Sequence, residues 1–172
     1  MTAENQTIEV NNTQRFLPVD VRRLERAVRV VLEVESVPTA EISLAIVDNK
    51  TIHDLNRRYL HHDYATDVLS FVLESSPRPL VGEIVVSAEM AIETAPRYHW
   101  RADEELILYV IHGTLHLTGH NDQTASDRRV MRSREQLCLN RLGIVNPAEH
   151  PVSADRPTPP PSVLSEGICD GS

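Results

Sequence analysis

The chain has 172 residues and a formal net charge of −8, and this length suits one globular domain with some additional chain rather than two separate cores. The negative charge argues against a protein that coats nucleic acid through bulk positive charge. No apolar run reaches the ~20 residues that span a bilayer, and the polar N-terminal segment lacks a secretory signal pattern. Two cysteines, Cys138 and Cys169, are too few for a disulfide framework or a cysteine zinc site. We therefore expect a cytoplasmic protein.

The N-terminal part of the chain predicts a strand, a helix and a second strand. Ile8 and Val10 alternate with polar residues, which is typical of a short strand. Asp20 can cap a helix over residues 20–35 that carries apolar residues on one face and arginines on the other. The apolar run at residues 42–47 predicts a strand that is buried on both faces or nearly so.

A second helix and two more strands follow. Asp48 or Thr51 caps the helix, and both residue types are good N-caps. Its predicted buried stripe is Ile52, Leu55 and Tyr59. Apolar runs at residues 67–74 and 82–87 predict the third and fourth strands, separated by a proline-containing turn.

Three helices complete the predicted domain. They cover residues 87–95, a strongly apolar segment at 103–118, and an amphipathic segment at 126–142 bounded by Ser126 as N-cap and Gly143 as C-cap. This order of elements predicts an α+β fold with a small four-stranded mixed sheet packed against about five helices.

The C-terminal segment differs in composition from the rest of the chain. Six of the eleven prolines lie between residues 147 and 161, and few large apolar residues remain there. We therefore expect a domain at residues 1–145 and a proline-rich disordered tail at 146–172, with a short docking motif in the tail as the alternative.

The densest cluster of functional residue types is the segment HGTLHLTGHND, from His112 to Asp122. His112 and His116 are four residues apart, so a helix presents both imidazoles on one face. Gly119 can end that helix in the left-handed conformation, and either Asp122 or His120 then supplies a third ligand. Three protein ligands leave one coordination position open, which is typical of a catalytic zinc site. The alternative is a buried helix that carries two histidines without a metal.

Gly113 argues against a zinc protease of the HExxH type, because it occupies the position of the glutamate that assists such enzymes. Two arginine clusters lie elsewhere on predicted helices and form either solvated faces or phosphate contacts. Their members are Arg22, Arg23, Arg26 and Arg29, and then Arg128, Arg129, Arg132 and Arg134.

The segment HGTLHLTGHND resembles the HGxLHLxGxDH signature of the YbeY-type endoribonucleases. The block LNRRYLHHDYATDVLSF at residues 55–71 is similar to that family's segment ending in TDVLSF, and GEIVVS from Gly82 resembles its next strand. The resemblance covers most of residues 42–142. It implies a zincin-like fold, one Zn²⁺ ion, and cleavage of single-stranded RNA in 16S rRNA 3′-end maturation and ribosome quality control, with the ribosome or ribosomal proteins as partners.

The chain departs from this pattern at two positions. The family's third ligand is usually a histidine, whereas Asp122 stands there in this chain, and His120 is the alternative ligand. Many members carry an arginine after the tyrosine of the second block, whereas this chain has Leu60. Arg57 and Arg58 are the remaining candidates for a catalytic arginine, and the general base is not identified by the sequence.

Two other functions remain compatible with the residues themselves. One is a metal hydrolase that acts on a substrate other than RNA. The other is a ribosome-associated factor in which the metal mainly stabilises the fold, and a fourth protein ligand would favour this role.

Overall fold

The computed structural model describes residues 5–145, so the predicted tail at 146–172 lies outside the described residues. The elements in chain order are β1 (Asn5–Asn12), α1 (Val21–Val34), β2 (Thr39–Val47), α2 (Asn49–Leu60), β3 (Val68–Glu74), β4 (Leu80–Ser87), α3 (Ala88–Thr94), α4 (Ala102–Leu117) and α5 (Ala125–Arg141). A short 3₁₀ turn, Ala95–Tyr98, joins α3 to α4. Four strands and five helices confirm the predicted α+β fold. No helix within residues 5–145 is long and apolar enough to cross a bilayer.

The four strands form one mixed sheet in the order β1-β2-β4-β3. β1, β2 and β4 are parallel, and β3 pairs antiparallel with β4 at the opposite edge from β1. Alternate residues of β3 and β4 face opposite sides of the sheet. Val68 and Ile84 face the main core that contains α4, whereas Leu69 and Val85 pack against α2 in a second, smaller cluster.

Helix α4 is the central helix of the domain, and it is buried along almost its whole length. It packs between the sheet and helices α1, α3 and α5. A helix that is apolar on all sides is stable only when it is enclosed in this way. His112 and His116 therefore project from the interior of the domain rather than from a surface helix.

Gly113 allows α4 to lie unusually close to the sheet. A Cβ atom added at this position would come within 2.8 Å of methyl groups of both Val68 and Ile84, and within 3.1 Å of Ser70 Oγ. The Ser70 hydroxyl donates a hydrogen bond to the Gly113 carbonyl at 2.9 Å. Any larger side chain, including the glutamate of an HExxH motif, would force the helix away from β3 and β4.

Most helix ends were predictable from local chemistry. Asp20 accepts hydrogen bonds from backbone amides at the start of α1, and Asp48, rather than Thr51, caps α2. The expectation that Ser126 caps α5 was wrong. The N-cap is Thr124, which exchanges hydrogen bonds with Asp127 in a capping box, so the helix begins at Ala125.

Two expectations about burial also required correction. Tyr59 is 58% exposed, whereas it was predicted to belong to the buried stripe of α2. The buried residue of that turn is instead Asn56, whose amide donates to the Tyr64 carbonyl at 3.0 Å and holds the following loop. In β2, Glu41 and Ser43 are exposed, because the strand is covered on both faces only toward its C-terminal end.

Candidate metal centre

Three side chains converge at the C-terminal end of α4. His112 Nε2 and His116 Nε2 are 2.9 Å apart, and Asp122 Oδ2 lies 3.6 Å from the first and 3.9 Å from the second. Ligand atoms bound at ~2.0–2.2 Å around a tetrahedral zinc are roughly 3.3–3.6 Å from one another, and the observed separations of 2.9, 3.6 and 3.9 Å lie within about 0.4 Å of this range. Within residues 5–145 this is the one cluster of three or more metal-ligand side chains, and it contains no fourth such residue.

The turn after α4 brings Asp122 toward the histidines. Gly119 has φ +106°, and the amides of Gly119 and His120 donate to the carbonyls of His116 and Leu115, which is the Schellman arrangement. The chain then reverses and directs the Asp122 carboxylate back to the helix. His120, the alternative third ligand, points elsewhere, because its Nε2 lies 2.8 Å from Glu35 Oε2.

Both imidazoles are held by their second ring nitrogen. His112 Nδ1 lies 2.6 Å from Glu135 Oε1, and His116 Nδ1 lies 2.9 Å from the backbone carbonyl oxygen of His120. A ring whose Nδ1–H donates to an oxygen presents an unprotonated Nε2 to a metal. The outer contacts therefore direct both Nε2 atoms to the same point.

Glu135 was missed by the sequence analysis, although the sequence carries a signal for it. It is a carboxylate within the buried stripe of α5, together with Met131, Cys138 and Leu139. A buried acidic residue at a core position of a helix needs a polar partner. Only the folded structure identifies that partner as His112, 23 residues away.

The environment affects the two histidines in opposite directions. Burial by itself lowers the pKa of His112, but the hydrogen bond and negative charge of Glu135, with smaller effects of Asp67 and Asp122, outweigh burial and raise it. Burial, followed by the charge of His112, lowers the pKa of His116 to about 4. The surrounding carboxylates therefore favour a cation at the centre of the cluster.

Strand β3 supports this end of α4. Asp67 Oδ1 accepts hydrogen bonds from the Val68 amide at 2.8 Å and from Thr66 Oγ1 at 3.2 Å, which fixes the start of the strand. Ser70 is bonded to the Gly113 carbonyl. Thr66, Asp67 and Ser70 thus have the contacts of residues that cap and support the strand.

The candidate catalytic arginines are not part of the cluster. Arg57 and Arg58 are exposed on α2, which covers the opposite face of the sheet from α4, and Arg57 Nη2 lies 3.5 Å from Asp54 Oδ1. Leu60 packs against the small apolar cluster beneath α2. On α5, Arg128 reaches the turn that carries Asp122, because its Nη1 donates to the carbonyls of Asp122 and Gln123 at 3.2 and 3.1 Å.

Comparison with known proteins gives consistent matches. The family model described as Endoribonuclease YbeY matches residues 9–143. A protein named Endoribonuclease YbeY from Rhodopirellula baltica is 42% identical over 139 residues, covering 80% of this chain and 70% of its own length. One of the same name from Desulforamulus reducens is 40% identical over 147 residues, covering 78% of this chain and 96% of its own.

A solved structure also matches the fold. The solution structure of TM1509 from Thermotoga maritima superimposes with a TM-score of 0.58 at 23% identity, covering 79% of this chain and 89% of the other. At this level of identity the match supports the fold alone.

Proposed function

This chain belongs to the Endoribonuclease YbeY family, and from that membership we propose that its metal centre binds one zinc ion. We also propose that the protein cuts single-stranded RNA during 16S rRNA 3′-end maturation and ribosome quality control. The zincin-like α+β fold is consistent with the family. The protein is an endoribonuclease, a hydrolase of RNA phosphodiester bonds. We further propose that it works in the cytoplasm, with the ribosome or ribosomal proteins as partners.

The convergence of His112, His116 and Asp122 on one point carries the zinc proposal. Two imidazole nitrogens and one carboxylate oxygen are a typical donor set for zinc. When bound, zinc supplies Lewis acidity toward a phosphoryl oxygen and lowers the pKa of water. Three protein ligands leave a position for substrate or water, which favours a catalytic rather than a structural metal.

The residues around the cluster have separate roles in this proposal. Glu135 and the His120 carbonyl hold the two imidazoles in orientation. Asp122 supplies a negative charge that partly offsets the charge of the metal. Because no glutamate fits at Gly113, a base of the HExxH type is absent from α4. Arg57 and Arg58 are exposed on α2, on the opposite face of the sheet from α4, and they have no part in this proposal.

The proposal is tested by measuring zinc content and RNA cleavage together. We expect His112→Ala, His116→Ala and Asp122→Ala each to lose both zinc and cleavage of single-stranded RNA, because two ligands bind zinc far more weakly than three. Asp122→His should restore binding, since nitrogen and oxygen ligands lie at similar distances of ~2.0–2.2 Å from zinc. His99→Ala is the matched control, because His99 is a solvent-exposed histidine in the loop before α4.

The outcomes separate the alternatives. Full activity of the His116→Ala protein would exclude a metal-dependent mechanism at this site. An inactive, zinc-free His120→Ala protein beside an active Asp122→Ala protein would make His120 the third ligand. Equal cleavage of single-stranded and double-stranded RNA would contradict the proposed specificity, and cleavage of casein would indicate a broader hydrolase.

A further inference from the structure

The turn that carries Asp122 is tied to a helix far away in the sequence. His120 Nε2 lies 2.8 Å from Glu35 Oε2, and the two residues are separated by 85 positions. Glu35 follows the last residue of α1, and His120 lies in the loop between α4 and α5. Both side chains are largely shielded, with 12% of the Glu35 side chain and 21% of the His120 side chain exposed. This contact therefore joins the end of α1 to the metal-site turn in a partly buried setting.

His120 connects this contact to a ligand. Its backbone carbonyl oxygen lies 2.9 Å from His116 Nδ1, so the position of residue 120 determines where the His116 ring can point. Asp122 lies only two residues further along the same turn. A displacement of His120 would therefore move two of the three candidate ligands at once.

A glutamate at position 35 is unfavourable for the stability of α1. It occupies the C-cap of α1, where the helix dipole places partial negative charge, and the last turn of α1 carries no basic residue. Its Oε1 is buried without a hydrogen-bond partner among residues 5–145, and the Arg134 Nε atom lies 3.7 Å away. Local helix stability thus gives no reason for a glutamate here, whereas the contacts of Glu35 with His120 and with Arg134 do.

The opposite side of the turn is held by α5. Arg128 Nη1 donates to the carbonyls of Asp122 and Gln123. Thus the turn between α4 and α5 is held by α1 on one side, through Glu35, and by α5 on the other.

We propose that Glu35 is a positioning residue of the metal centre, acting through His120 to orient His116 and Asp122 for zinc binding. The inference rests on the proposed metal function of this site. In this arrangement His120 contributes a tether and a carbonyl rather than a ligand nitrogen. The side chain of Glu35 does not itself contact the metal.

The test is a double-mutant cycle on the zinc dissociation constant of the full-length protein, measured by competition with a chromophoric chelator. We expect Glu35→Ala and His120→Ala each to weaken zinc binding by about tenfold, the lower end of the effect usual for groups that orient a ligand. The double variant should lose no more than about the larger single loss, because both substitutions remove the contact between Glu35 and His120 through which Glu35 is proposed to act. Glu35→Gln should stay within about threefold of wild type, since its amide oxygen can still accept a hydrogen bond from His120.

Glu33→Ala is the control, because Glu33 is an exposed glutamate in the last turn of the same helix, and it should bind zinc as wild type does. Melting temperatures of the zinc-free proteins and visible spectra of the Co²⁺-substituted proteins are recorded in parallel. A Glu35→Ala protein that melts earlier yet binds zinc as wild type does would overturn the proposal. The proposal would also be overturned if the losses of zinc affinity in the two single variants multiplied in the double variant. The same holds if Glu35→Gln bound zinc as weakly as Glu35→Ala.

The Co²⁺ spectra separate positioning from ligation. A positioning role leaves the ligand set, and hence the spectrum of the saturated His120→Ala protein, close to that of wild type. A shift to the spectrum of a different ligand set would overturn the proposal by making His120 a ligand. Failure of the wild-type protein to bind zinc at all would contradict the proposed metal centre itself, whereas loss of the Glu35 effect alone would contradict only this inference.

Discussion

Replacing Gly113 by alanine tests how closely α4 must pack on the sheet to hold the metal centre. The new methyl group would lie 2.8 Å from Val68 Cγ2 and from Ile84 Cγ2. Carbon atoms in contact are normally ~3.5–4.0 Å apart. Both neighbouring methyl groups branch from Cβ, so they can move only by a change of rotamer inside a packed core. The helix must therefore move away from β3 and β4.

The expected cost follows from three contributions. Two methyl contacts at 2.8 Å place the overpacking cost in the upper part of its usual range, at ~2–3 kcal/mol, and stretching the hydrogen bond from Ser70 to the Gly113 carbonyl costs about 1 kcal/mol. The higher helix propensity of alanine returns about 1 kcal/mol. The net loss of about 2–3 kcal/mol corresponds to a fall in melting temperature of roughly 4–12 °C for a chain of this size.

Gly82→Ala provides a matched comparison. A Cβ at Gly82 meets Leu117 Cδ1 at 2.8 Å, a similar distance, but this atom is the far end of a flexible side chain. We expect less than half of the loss found for Gly113→Ala. Thermal melting by circular dichroism of the zinc-free proteins measures both. A melting temperature of Gly113→Ala within about 1 °C of wild type, or a larger loss for Gly82→Ala, would refute the packing argument.

Movement of α4 should also weaken zinc binding. His112 adjoins Gly113 and contacts Glu135 on α5 at 2.6 Å, so a shift of the helix alters this contact. Zinc titration of the folded Gly113→Ala protein should therefore show reduced affinity. Unchanged affinity in a clearly destabilised protein would show that the metal centre does not depend on this packing.

Two further predictions concern titration. The pKa of His112 is raised above its usual 6.5, so the pH at which protons begin to compete with zinc for this ligand should lie above 6.5. Below that pH the apparent zinc affinity should fall about tenfold per pH unit, because one imidazole proton must be released for each zinc bound. Glu135→Gln removes the charge that raises this pKa, so the midpoint of the pH dependence of zinc affinity should move to lower pH. A midpoint that stays fixed in zinc titrations from pH 5 to 8 would contradict the role of Glu135. Burial, followed by the charge of Glu35, raises the pKa of Cys138 to about 11, so in a Cys169→Ser protein a maleimide should label the thiol only after denaturation. Rapid labelling of the folded protein, followed by mass spectrometry, would show that α5 opens locally.

The sequence determined the local features of the protein. The spacing of apolar residues identified the strands and helices, because side chains repeat every two residues in a strand and about every 3.6 in a helix. The pair of His112 and His116 depends only on helical geometry, and Gly119 marks the turn because glycine readily adopts a positive φ. These features are encoded within a few residues of one another.

Tertiary structure decided which residues support the centre. The contacts of His112 with Glu135 and of His120 with Glu35 span 23 and 85 residues, and no local pattern specifies such pairs. The exposure of Tyr59 likewise depends on how much of the sheet α2 covers, rather than on its position in a helical stripe. Local conformation is set by each residue and its near neighbours, whereas the partners of a buried polar group are set by the packing of whole elements. For this reason the candidate ligands could be identified from the sequence, but the residues that orient them could be identified only from the fold.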